Sequence, residues 1–178
     1  ALKVRMRDER ANKLIWSSAA FKAIVVSLNP IPAADVIAGS TVDVSMVVAL
    51  AAVYGIALTR VHARQLVQAI LEAAGWMVLT ETLTHVAAGI FKGLTLGKGT
   101  VLVALPQGAA AGYGSYIVGQ AAKYYFEHGA SWGSEAPKTV VSRILEMTDK
   151  QSVVKRLQEE IKRRMRLNRH TGGGGSVA

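Results

Sequence analysis

The stretch VSMVVALAAVYGIAL, residues 44–58, runs for fifteen residues without a charge. Extended back to Ala33, only Asp35 and Asp43 interrupt it. Apolar runs of this length without strand-like alternation predict a buried or membrane-embedded helix. A helix over 33–58 would be roughly 39 Å long, enough to cross a bilayer, whereas the uncharged run alone covers roughly 22 Å.

Working outward, Asn29-Pro-Ile-Pro32 punctuates the chain before that run. Proline ends a helix on its N-terminal side and suits the first turn of the next one. Asp35 then falls where a carboxylate meets unpaired N–H groups and the positive end of the helix dipole. Upstream, Leu14, Ile15, Phe21, Ile24, Val25 and Leu28 follow helical spacing and predict a first helix from about Arg10.

Downstream, Thr59-Arg-Val-His62 is a break, and a third helix is expected from Ala63 to about Phe91, bent or broken near Gly75. Gln65, Gln68 and Glu72 share one of its faces; Glu81, His85 and Lys92 share another. The glycine-rich connection 93–100 leads to a fourth apolar stretch, Val101 to Phe126, in which Ala104, Gly108 and Gly112 recur at four, as do Ala111, Ser115 and Gly119. Such spacing lets helices approach closely, and Gly108, Gly112 and Gly119 are candidate helix-packing residues. Pro137 opens a helix to about Met147, and Thr148-Asp-Lys-Gln151 has the form of a capping box for another. That last helix sets Val153, Val154, Leu157, Ile161 and Met165 apart from Lys155, Arg156, Lys162, Arg163, Arg164 and Arg166, a basic amphipathic pattern that suits either a lipid surface or a packed surface helix.

The fold expected is all-α: about four apolar core helices and a basic amphipathic helical C-terminal extension, associated with a membrane. Residues 1–133 form the apolar helical part in this reading, 134–170 the basic extension, and 171–178 a flexible tail marked by Gly172–Gly175. The start is charged and lacks the apolar core of a signal peptide, and Ala1 in place of methionine leads to the expectation of a piece of something longer.

Composition narrows the function classes. The chain has 178 residues, 51% of them hydrophobic and 19% charged, which excludes a disordered chain. It has no cysteine, so disulfides, thiolate metal sites and cysteine nucleophiles are excluded. The net charge of +9 is uneven: residues 1–22 carry six bases against two acids, 23–137 five against six, and 138–178 ten against four. Basic flanks around a near-neutral apolar block point to an anionic lipid surface, with Lys162, Arg163, Arg164 and Arg166 as lipid-facing residues. No RNP-like aromatic pattern or helix-turn-helix spacing accompanies the bases, so nucleic acid is not the expected partner.

Little here specifies chemistry. LGKGT at 96–100 fails as a phosphate-binding loop, because Gly99 follows Lys98 where a serine or threonine is needed. The histidines at 62, 85, 128 and 170 show no metal-ligand spacing, and His85, one turn after Glu81, reads as a structural histidine before a metal or pigment ligand. Asp43, Glu72 and Glu81 stand in apolar sequence, and a buried carboxylate is costly unless paired, so each is expected to find a partner across helices or line a polar cavity. No catalytic residue, metal or cofactor is expected.

RDERANKLI (7–15), NPIPAAD (29–35), VSMVVALAAVYGIALT (44–59) and LGKGTVLVALPQGAAAGYGSYIVGQAAKYYFEHG (96–129) together resemble a bacterial domain of unknown function. That domain commonly follows an Era-like GTPase domain, notably in cyanobacterial proteins, and is related to YcjF-like membrane proteins. The matching residues are Asn29, Pro30, Ile31, Pro32, Asp35, Met46, Tyr54 and Gly55. The resemblance implies a non-catalytic membrane module of the bacterial inner membrane or thylakoid, basic ends toward the cytoplasm. It would be the effector or anchoring part of a GTPase-like protein whose nucleotide chemistry lies in a domain absent here. The implied partners are membrane lipids, a GTPase domain, and a second copy or another membrane protein. Alternatives are a homo-oligomeric membrane pore or scaffold, and an accessory subunit of a larger photosynthetic complex.

Overall fold

The computed structural model describes residues 2–28, 41–75 and 99–171, all in helices and short connections, with no strand among the described residues. The helices are α1 (Leu2–Leu28), α2 (Thr41–Val53), α3 (60–75), α4 (Gly99–Glu127), α5 (Pro137–Met147) and α6 (Lys150–Thr171). Asn29, Pro30, Ile31, Pro32, Asp35, Glu81 and His85 lie outside the described residues.

The centre of the fold is the contact between α1 and α4, and small residues make it. Ala11, Ile15, Ala19, Ala23 and Ser27 recur at four along α1 and are buried. Opposite them run Gly119, Ser115, Gly112 and Gly108. A Cβ on Gly119 would sit 2.7 Å from Ile15 Cγ2, and one on Gly112 would sit 2.8 Å from the Ala19 carbonyl oxygen and 2.8 Å from Ala23 Cβ. One on Gly108 would overlap Ser27 Oγ and the Ala23 carbonyl oxygen. The pairing is antiparallel; at Gly108 and Gly112 the α1 backbone lies too close for a side chain, and at Gly119 the Ile15 side chain occupies the space. Of the apolar side chains read at helical spacing in α1, Ile15 is buried and Leu14 and Ile24 pack partly buried against the core, whereas Phe21 and Leu28 are exposed, because opposite Gly108 and Gly112 the close approach is made by Ala19, Ala23 and Ser27.

Two apolar clusters flank that contact. Val44, Met46, Val47, Leu50 and Ala51 of α2 meet Ala63, Leu66, Val67 and Ile70 of α3 and Val118, Ala121, Ala122 and Phe126 of α4. On the other side Val153, Leu157 and Ile161 of α6 close over Ala19 and Ala23 of α1 and Ala109, Tyr113 and Ile117 of α4. The described parts of the apolar runs that suggested membrane spans turn Val44, Met46, Val47, Leu50 and Ala51 of α2 and Ala109, Ile117, Val118, Ala121 and Ala122 of α4 into the bundle, and among the described residues no helix is long and apolar enough to cross a membrane. Residues beyond 133 share the same interior, since Val141 belongs to the first cluster and α6 to the second.

Several helix ends differ from expectation for local reasons. α2 stops at Val53 rather than 58, because Gly55 takes φ +73°, a conformation costly for other residues. The Gly55 N–H then donates to the Ala52 carbonyl and the Ile56 N–H to the Ala51 carbonyl, the paired bonds of a Schellman cap. α3 begins at 60, capped by Thr59, whose hydroxyl accepts the His62 N–H at 3.3 Å. Gly75 has φ +69°, which the right-handed helix does not allow, and the rest of the helix expected to run to Phe91 lies outside the described residues. α6 is capped by Asp149, which accepts from the Ser152 N–H at 3.1 Å, and not by Thr148, whose hydroxyl donates back to the Ile144 carbonyl and finishes α5.

Candidate functional site

Asp43 opens α2 in its first turn, where its carboxylate suits the helix dipole, and it points inward. Its Oδ2 accepts from Lys22 Nζ of α1 at 2.6 Å, and its Oδ1 accepts from the Ser115 hydroxyl of α4. The three residues are 3%, 6% and 0% exposed, respectively for Asp43, Lys22 and Ser115. A charge taken that far from water must be matched at both oxygens, and here one cation and one hydroxyl do so. The junction joins three helices at a single carboxylate. The expectation of an interhelical partner for Asp43 holds; Lys22 and Ser115 supply it.

A second polar cluster sits at the end of the bundle where α2 terminates. The Tyr54 hydroxyl donates to Glu127 Oε1 at 3.0 Å, and the Arg7 guanidinium lies 5.1 Å from the Tyr54 ring centre. Lys123 pairs with Asp8 and lies 3.6 Å from Glu127, while Asn12 donates to Asp8 at 3.1 Å. Burial, followed by the negative charge and hydrogen bond of Glu127, pushes the Tyr54 phenol above its ordinary pKa. Tyr54 and Gly55 thus have distinct tasks: the first ties α2 to α4, and the second ends α2.

The remaining expected site residues separate. Gln65, Gln68 and Glu72 share one face as expected, but it is the exposed face of α3, so Glu72 is corrected from a buried carboxylate to a solvated one. The core of α3 is carried instead by Ala63, Leu66, Val67 and Ile70, at the complementary positions of the helical repeat. Gly108, Gly112 and Gly119 pack helices, as expected, within one chain. Lys162, Arg163, Arg164 and Arg166 are exposed, while the apolar face of their helix is buried against α1 and α4. Arg156 of the same helix lies 4.0 Å over the Trp16 ring, a cation–π contact that fastens α6 to α1. Among the described residues no group of three or more histidine, aspartate or glutamate side chains is placed to hold a metal ion.

Lys22 and Ser115 were not singled out as a site by sequence reasoning. The signal existed: a lone lysine sits on the small-residue face of α1, one helix before a lone aspartate in an apolar run.

The fold is an all-helical bundle tied by a buried ion pair, with exposed bases on α1 and α6. The chain belongs to a family described as a domain of unknown function, DUF697, whose model matches residues 1–150. The match takes in α1 through α5. No curated protein and no solved structure matches the chain.

Proposed function

We propose that this chain is a non-catalytic helical module that attaches to an anionic membrane surface and serves as the effector or anchoring part of a GTPase-like protein. The observation that carries the reading is the N-terminal part of α1, where Lys3, Arg5, Arg7 and Arg10 stand exposed beside exposed Leu2, Val4 and Met6. Bases interleaved with exposed apolar side chains on one helix suit the interface of an anionic leaflet. Exposed Lys162, Arg163, Arg164 and Arg166 add charge on α6. The bacterial inner membrane or thylakoid, on its cytoplasmic face, is the surface proposed. Attachment by surface contact is favoured over insertion, because the apolar sides of α2, α4 and α6 are covered by one another and by α1, apart from an open cleft between α1 and α2. The glycine stripe, which had suggested a self-assembled pore or scaffold, is used within the chain and supports no oligomer.

The test is flotation with vesicles. The chain should float with vesicles containing phosphatidylglycerol and be released by high salt, and the quadruple reversal of Lys162, Arg163, Arg164 and Arg166 to Glu should weaken flotation. Failure to float with anionic vesicles at low salt removes the membrane reading; resistance to both salt and alkaline wash replaces surface contact with insertion.

A further inference from the structure

Along α1, residues 3, 7, 10, 14, 17 and 21 share one face by their three- and four-residue spacing, turned away from the α4 contact. Two open clefts lie on that face, both walled on the other side by α2. One, of about 300 Å³, is lined by Lys3, Met6, Arg7, Arg10 and Val53. The other, of about 730 Å³, is lined on its apolar side by Leu14, Phe21, Val42, Met46 and Ala49. α1 and α2 run antiparallel, and Arg10 and Leu14 stand one turn apart on α1 as Val53 and Ala49 do on α2, so the two clefts follow one another along the seam between these helices. Among the described residues its cationic stretch holds three bases, its other stretch none, and no carboxylate lines either. Phe21 is 57% exposed at the apolar end, a large side chain without cover among the described residues.

We propose that this seam binds one anionic lipid molecule, its headgroup among Lys3, Arg7 and Arg10 and one acyl chain laid between α1 and α2 toward Phe21. Charge segregation along the seam selects an amphiphile with one anionic end. The dimensions agree: Arg10 to Phe21 rises about 16 Å along the helix, and one acyl chain spans about 15 Å of a bilayer leaflet, half the hydrocarbon core. The larger cleft also falls within the range of about 300–1,000 Å³ typical of small-molecule sites. The hydroxyls of Ser17, Ser18 and Ser45, which also line it, leave room where larger side chains would fill the seam. The proposal rests on the membrane reading for its source of lipid, and its chemistry is separable from it.

The experiment uses the full chain without any bilayer, titrated with cis-parinaric acid, a fatty acid whose fluorescence rises in apolar surroundings, and with its uncharged methyl ester. Saturable one-to-one binding displaced by lysophosphatidylglycerol is expected. Lys3→Glu with Arg10→Glu should weaken binding of the acid by about thirty-fold or more and leave the ester unchanged, since each base lost beside an anionic group contributes about five-fold. Phe21→Asp should abolish binding of both. All three positions are exposed, and thermal unfolding of each variant checks that the fold is kept. Absence of saturable binding, binding unchanged by Phe21→Asp, or a halving of the molecular mass on Phe21→Asp overturns the proposal, the last by making the seam a contact between copies. Saturable binding by a chain that does not float with vesicles upholds the seam and removes the membrane reading; flotation without saturable binding does the reverse.

Discussion

Lys22 and Asp43 face each other at 2.6 Å across α1 and α2, nearly sealed from solvent, and the Ser115 hydroxyl of α4 completes the carboxylate. Removing one member leaves the other charge buried without a counter-ion, which costs about 3–5 kcal/mol, whereas replacing both by apolar residues of similar volume is often neutral or stabilising. Asp43→Ala should therefore lower the urea midpoint far more than Lys22→Met combined with Asp43→Leu. Equal losses in the single and double variants would show that the pair does not act as a unit.

The glycines of α4 make opposite predictions according to what faces them. Gly108→Ala and Gly112→Ala should destabilise by about 1–3 kcal/mol, because their new methyl groups meet α1. Gly114, in the same helix, has nothing within 4 Å of a built Cβ, so Gly114→Ala should stabilise by about 0.5–1 kcal/mol through helix propensity. Thermal unfolding of the three variants tests the sign as well as the size.

Gly55 has open space around a built Cβ and a positive φ, which isolates the conformational cost from any steric one. Gly55→Ala should cost about 1–2 kcal/mol, with Gly55→Asn losing less, since asparagine tolerates the left-handed region. Chemical denaturation of the pair is sufficient, and an alanine variant as stable as wild type would dissolve the capping argument.

The raised pKa of Tyr54 carries a pH dependence. The folded chain favours the protonated phenol relative to the unfolded chain, so its contribution is complete below the ordinary tyrosine pKa of about 10 and declines as pH rises above it. Wild type should lose stability between about pH 10 and 11 more steeply than Tyr54→Phe, which at neutral pH should itself cost about 0.5–1.5 kcal/mol for the bond to Glu127. Melting temperatures of both proteins across that range decide it; parallel curves would remove the effect.

Read alone, the sequence determined the helices, because their signals are local. The spacing of Ala63, Leu66, Val67 and Ile70, the break at Thr59 and Pro137 all act within a turn or two of the chain, and α5 was legible to the residue, whereas the end of α2 at Gly55 was not, because the apolar run continues through it to Leu58. The need of Asp43 for a partner was legible too, since a carboxylate in apolar sequence has to be matched wherever it goes. Only the tertiary structure decided which faces met. Large apolar residues such as Phe21 and Leu28 carry the stronger hydrophobic signal, yet they stand outside, because the glycines of α4 admit only Ala19, Ala23 and their neighbours at that distance. The same apolar period in α2, α4 and α6 serves a bilayer or a protein interior equally well. Which of the two it serves depends on whether other helices of the chain cover those faces, and that is a property of contacts between residues far apart in sequence.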